Sequence, residues 1–226
     1  MNALDATHNR RPFKVDLHLH TTRGSFDSNL EPHELIAQAR SAGLDAVCIT
    51  EHDFMWDGAE LADAAAQAGL LVLRGMEVTT ELGHIGVFGL EGYIGGIYKL
   101  AELRRIADDQ GALLIANHPF RYRLDPRLSF LNRDRQTFTA DDVAAAAGRE
   151  IFTLVDAIEV INGACSADEN RVALEVARAL HLAQVAGSDS HSRDSIGCAY
   201  TVLDAVVRDE QALIEAIKRR QCHAAR

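Results

Sequence analysis

The feature that most constrains this chain is a repeated alternation of short apolar runs with stretches of helical period. FKVDLHLH (13–20), LDAVCIT (44–50), LLVLRGMEV (70–78), HIGVFGL (84–90), ALLIANH (112–118), DAIEVIN (156–162) and LAQVAGSDSH (182–191) read as seven strands, with AYTVL (199–203) as one more short strand. Helices are expected over Pro32–Ala42, Gly58–Ala68, Ile97–Gln110, Ala167–Leu180 and Asp209–Arg220. Pro32 suits a first turn, and Gly43, Gly69 and Gly111 can stop the helices before them. Strand–helix alternation implies a mainly parallel sheet, and nearly continuous apolar strands are those of a sheet covered on both faces. The expectation is an α/β fold of one domain, a length that barrels of this type often reach as a single unit.

Residues 1–12 read as a tail before the first strand, without the apolar core of a secretory signal, and the barrel domain is expected over 13–226. No apolar run is long enough to suggest a membrane span. Cys48, Cys165, Cys198 and Cys222 lack CxxC spacing and read as reduced thiols of a cytoplasmic protein. A formal net charge of −10 gives no broad attraction for nucleic acid. The long irregular stretch at about 119–139 carries Arg121, Arg123, Arg127, Arg133 and Arg135 and reads as a functional loop.

Polar residues gather where the strands end. His18 and His20 close the first strand, Glu51, His52 and Asp53 the second, Glu77 the third, Asn117 and His118 the fifth, Asn162 the sixth, and Asp189 and His191 the seventh. Parallel strands bring their carboxyl ends to one face, so groups distant in sequence meet there. His18 and His20, two apart on a strand, point to the same side, and Asp189 and His191 repeat the spacing. Glu77, at the end of an apolar run, needs a positive partner or a metal to offset its burial. A mixed nitrogen and oxygen set without cysteine suits Zn²⁺, Mn²⁺ or Fe²⁺ rather than a structural zinc knot. The number of such residues exceeds what one ion takes, so two or three divalent ions are expected.

The segments VDLHLHT (15–21), SFDS (25–28), ITEHD (49–53), GMEVT (75–79), NHP (117–119), EVING (159–163) and GSDSH (187–191) resemble, in order, those of the PHP family, named for polymerase and histidinol phosphatase. The resemblance implies a distorted (β/α)₇ barrel with a two- or three-metal centre that hydrolyses phosphate esters. It implies metal-ligand roles for His18, His20, Asp27, His52, Glu77, His118, Asp189 and His191, with His84 as a further candidate. Glu51 stands where the family more often has aspartate.

The expected reaction is hydrolysis of a small phosphate monoester by a metal-bridged hydroxide. His191 or His20 would protonate the leaving oxygen, Arg121 or Arg193 would grip the phosphate, and Asn162 would help bind substrate. The rivals are an exonuclease or nucleotide phosphodiesterase acting on short oligonucleotides, and a non-catalytic metal-binding domain. An amidohydrolase is disfavoured because no metal-bridging lysine follows a middle strand.

Overall fold

A computed structural model describes residues 11–66 and 69–226. The expected tail lies outside them save for residues 11 and 12, as do the last two residues expected in the second helix. Two five-stranded sheets form the scaffold. In the first, β1 (Phe13–Leu19), β2 (Ala46–Ile49) and β3 (Leu71–Arg74) run parallel. The edge is extended by β9 (Tyr200–Leu203) and β10 (Cys222–Ala225), both antiparallel to their neighbours. The second sheet has the order β4 (Met76–Thr80), β5 (Gly83–Phe88), β6 (Leu113–Ala116), β7 (Ala157–Asn162), β8 (Ala183–Gly187). Here β6, β7 and β8 are parallel, whereas β5 is antiparallel to both β4 and β6.

The expected strand 70–78 is therefore two strands. It breaks at Gly75, whose N–H still bonds the Ile49 carbonyl at 2.9 Å. A Cβ there would lie 2.6 Å from the Phe88 ring and 3.0 Å from Thr50 Cγ2, so only glycine lets the chain cross between the sheets at this point. No helix separates β4 from β5, and a two-residue link can only turn the chain back, which makes this pair antiparallel. Among the described residues the strands do not close into one continuous barrel. The sheets meet through two isolated parallel bridges, Leu19–Ser190 and His52–Glu77. Two sheets thus stand where the expectation placed a single seven-stranded ring.

The helices are α1 (Pro32–Ser41), α2 (Gly58–Ala66), α3 (Leu100–Gln110), α4 (Val143–Ala147), α5 (Ala167–Ala179) and α6 (Glu210–Lys218). α5 starts on a reciprocal Ser166–Glu169 cap, and α3 stops at Gly111 in the left-handed conformation. α1 lays Leu35, Ile36 and Ala39 on Val47, Ile49 and Val72 of the first sheet. α3 and α5 cover the second sheet through Leu100, Leu103, Val172 and Val176. Between the sheets, Val15, Leu17, Cys48, Leu113, Ile115 and Val185 form a shared core closed by Leu213, Ile214 and Ile217 of α6. Each such large apolar side chain contributes roughly 1.5–3 kcal/mol on burial. That apolar plug occupies one end of the strands and leaves the other to the polar residues.

Candidate metal centre

Eight of the nine expected ligands fall into four overlapping groups whose ligand atoms lie within 4.8 Å of one another. The groups are His20–His52–His191, His18–His20–Asp189, His18–Glu77–His118 and His52–Glu77–His84. Glu77 is fully buried at their centre. Its Oε1 faces His18 Nε2 at 3.2 Å, His118 Nε2 at 3.1 Å and His84 Nδ1 at 3.3 Å. Its Oε2 faces His52 Nδ1 at 2.9 Å and His20 Nε2 at 3.7 Å. Asp27, the ninth, reaches in from the loop after β1, with Oδ2 3.4 Å from His52 Nε2 and 3.5 Å from His191 Nε2. Asp189 Oδ1 lies 3.4 Å from His20 Nε2 and 3.6 Å from His18 Nε2.

The hydrogen bonds behind these rings fix which nitrogen faces inward. Glu159 Oε1 lies 3.0 Å from His18 Nδ1; a carboxylate only accepts, so Nδ1 donates and Nε2 keeps its lone pair. Ser25 Oγ donates its hydrogen to Glu51 Oε2 at 2.6 Å and therefore accepts from His20 Nδ1 at 3.1 Å, again leaving Nε2 free. His191 Nδ1 donates to the Asp189 carbonyl at 3.0 Å, which points its Nε2 toward Asp27. Among the buried side-chain atoms without a hydrogen-bond partner are His18 Nε2, His20 Nε2, Glu77 Oε2 and His84 Nδ1. Each such atom costs about 1–3 kcal/mol if nothing satisfies it. Lone pairs of imidazole and carboxylate converging on one space are the donor set of divalent transition ions, so the residues fit the expected metals.

Electrostatics agree with the geometry. Burial alone would push His18 down, but Asp189, Glu159 and Glu77 lift it well above its ordinary range. Burial would raise Glu77, yet His18, His84 and His118 hold it well below the usual carboxylate range. Asp189 is likewise held well below, against burial, by His18, His20, His118 and Arg121. Burial takes His20 down to about 4. Two of the ligand positions also carry backbone strain, His118 at φ 28° and Asp189 at φ 55°. They are held there by His118 N–H on Glu159 Oε2 and Asp189 N–H on the His18 carbonyl, both 2.8 Å.

Glu159 and Glu51 are organising residues that spacing alone does not reveal. Glu159 serves His18, the His118 backbone and, at 2.9 Å, Asn162 Nδ2. Its signal in the sequence is a carboxylate inside an apolar strand. Glu51 accepts from Thr21 N–H, Ser25 Oγ and Trp56 Nε1 and from the Thr21 hydroxyl, binding the exit of β1 to the exit of β2.

The expected substrate-binding residues are placed differently. Arg121 donates to Asp189 and, at 2.9 Å, to Asn162 Oδ1, and Asn162 Nδ2 donates to Asp189 at 3.1 Å. Both brace a ligand position, and Arg121 also lines the cleft beside His84 and His118. Arg193 is exposed, and its Nε contacts Gln38 on α1 at 3.4 Å. The loop at 119–139 is pinned: Arg123 is buried against Asp134 at 2.6 Å and the Gln136 carbonyl at 3.2 Å. Arg149, buried among Phe120, Phe138 and Phe152, donates to the Pro119 carbonyl at 2.7 Å and the Leu82 carbonyl at 3.1 Å. It thereby ties the segment after His118 to the hairpin before His84. Burial, then neighbouring Arg123, lowers it to about 9.

Comparison with known proteins points to one family. The model of a family described as PHP domain matches residues 16–123, and one described as PHP-associated matches 167–222. An uncharacterized protein of Methanocaldococcus jannaschii is 30% identical over 160 residues, 66% of this chain and 81% of its own. A Bifidobacterium adolescentis protein, provisionally described as a metal-dependent phosphoesterase, superposes with a TM-score of 0.58 at 18% identity, covering 91% of this chain and 96% of its own. A lesion-specific endonuclease from Pyrococcus furiosus gives a TM-score of 0.60 at 15% identity, over 95% of this chain and 58% of its own. At these identities the two solved structures speak to the fold alone. Among the described residues no helix is long and apolar enough to cross a membrane.

Proposed function

The chain belongs to the PHP family, and from that premise we propose that it is a metal-dependent phosphoesterase acting on small phosphate monoesters. The observation that carries the reading is Glu77, a buried carboxylate with five imidazoles around its two oxygens and unsatisfied lone pairs converging beside it. His18, His20, Asp27, His52, Glu77, His118, Asp189 and His191 would hold two or three ions, with His84 as a ninth ligand. The two bridged sheets are in keeping with the family's distorted seven-stranded barrel. The ions, when bound, supply Lewis-acid activation of water and of phosphoryl oxygens.

The chain's own contribution is orientation and proton supply. Glu159 and Ser25 hold the His18 and His20 rings in the tautomer that presents Nε2. Arg121 and Asn162 keep Asp189 in its strained position and offset its charge. His191, part-exposed and anchored through Nδ1, is suited to carry a proton on Nε2 to the leaving oxygen in a two-ion centre that leaves this nitrogen unligated. Metal-loaded protein should hydrolyse p-nitrophenyl phosphate and lose the activity in Glu77→Gln. Faster release of mononucleotides from a short oligonucleotide would favour the nuclease reading. Metal-loaded protein inactive on both substrates would favour the non-catalytic one.

A further inference from the structure

Beside the centre lies a cleft of about 190 Å³ whose lining includes His84 and His118 together with Arg121, Arg123, Arg133 and Arg149. Three of these arginines are committed. Arg121 is bound to Asp189, Arg123 to Asp134, and Arg149 to the carbonyls of Pro119 and Leu82. Arg133 differs. Among the described residues no carboxylate lies within ion-pair distance of it, and its contacts are the Tyr98 hydroxyl at 3.2 Å and the Tyr98 ring, 5.0 Å from the guanidinium carbon. It also lines the adjoining recess formed by Asp53, Tyr93, Ile94, Ile97 and Tyr98. Asp53 in that recess accepts the Thr79 N–H at 3.0 Å.

We infer that Arg133, braced on Tyr98, forms a second, anion-reading subsite for a group carried by the alcohol part of the ester. This rests on the phosphoesterase reading, which puts the scissile phosphate at the His84 and His118 end of the cleft. Arg133 stands where the cleft passes into the recess, so it meets the part of the substrate beyond that phosphate. With Nη1 on the Tyr98 hydroxyl and the guanidinium carbon over the Tyr98 ring, Nε and Nη2 remain for bidentate contact with a carboxylate or phosphate. The aromatic brace limits the rotamers lost on binding, and the absence of an internal carboxylate leaves the charge for a ligand. The substrates selected are phosphate esters whose alcohol carries a second anionic group.

The test uses Mn²⁺-loaded full-length protein and isothermal titration with phenylphosphonate and its ring-carboxylated and ring-phosphonylated derivatives, substituted in turn at positions 3 and 4. At least one doubly anionic ligand should bind about tenfold tighter than phenylphosphonate, as one charge-assisted contact provides. The gain should vanish in Arg133→Gln and persist in Arg135→Gln, a control from the same loop. Comparing the carboxylate with the phosphonate series tells which anion fits. Equal affinity for all ligands in the unaltered protein, or a gain that survives Arg133→Gln, overturns the subsite. Hydrolysis of p-nitrophenyl phosphate by the same preparation is scored separately. Its failure with the binding gain intact overturns the phosphoesterase reading and leaves the anion site standing.

Discussion

Glu159→Gln tests the orientation argument most sharply, because it changes charge and hydrogen-bond sense with almost no change in volume. Glu159 Oε2 accepts from the His118 N–H and from Asn162 Nδ2, and Oε1 accepts from His18 Nδ1. A glutamine can keep its single oxygen on the first two donors. Its amide NH₂ then faces His18 Nδ1, which can remain only as an acceptor. The His18 proton moves to Nε2, the atom that lies 3.2 Å from Glu77 and 3.6 Å from Asp189 and that a metal would need unprotonated. Loss of such an outer partner costs 10–100-fold in metal affinity, about 1.4–2.8 kcal/mol. Three donors depend on this one carboxylate, so the upper end is expected. Titration of chelator-treated protein with Mn²⁺ reads the affinity, and ¹⁵N shifts of the His18 ring read the tautomer. Unchanged affinity with the Nδ1–H tautomer retained would refute the reasoning.

Three further outcomes follow from the same geometry. His18 is raised well above its ordinary range by Asp189, Glu159 and Glu77, so an incoming ion competes with a proton for Nε2; metal affinity should rise with pH through the neutral range, and calorimetry in buffers of different ionisation enthalpy at pH 7 should show proton release, whose absence would contradict the assignment. Arg149→Ala leaves two buried carbonyls without their donor and empties an aromatic cage; a loss of about 3 kcal/mol, a fall in Tm of roughly 6–12 °C, is expected by thermal denaturation, and a change under 2 °C would show the contacts to be idle. Gly187→Ala would put a Cβ 2.4 Å from His18 Cβ and 2.9 Å from Glu159 Oε1; metal content should drop in a folded protein, and full occupancy by elemental analysis would argue against close packing behind His18.

The strand–helix rhythm made most elements legible, because apolar runs and glycine stops are local signals. What escaped depends on relations between distant segments. The antiparallel sense of β5 follows from the missing helix between β4 and β5, a cue present in the sequence but overridden by the alternation around it. β10 is four residues of modest hydrophobicity and exists through its pairing with β9. The ligand positions stood out because ionisable groups at the ends of apolar strands are costly without a purpose. Glu159 hid because the residues it serves, His18 and His118, lie 141 and 41 positions away. Arg121 looked like a free phosphate clamp because nothing in the chain order shows that Asp189 reaches it first.

The two sheets touch through single bridges at Leu19–Ser190 and His52–Glu77, and the imidazoles and carboxylates that converge there come from both sides of that seam. Cations seated among them would add a clasp to the hydrogen bonds that already cross the join, such as Asp189 N–H on the His18 carbonyl and Ala186 N–H on Thr201 Oγ1, both 2.8 Å. Stripping them with a chelator should then speed amide hydrogen exchange at His52, Glu77 and Ser190 ahead of exchange in the sheet interiors, a parting along the join that precedes any collapse of either half.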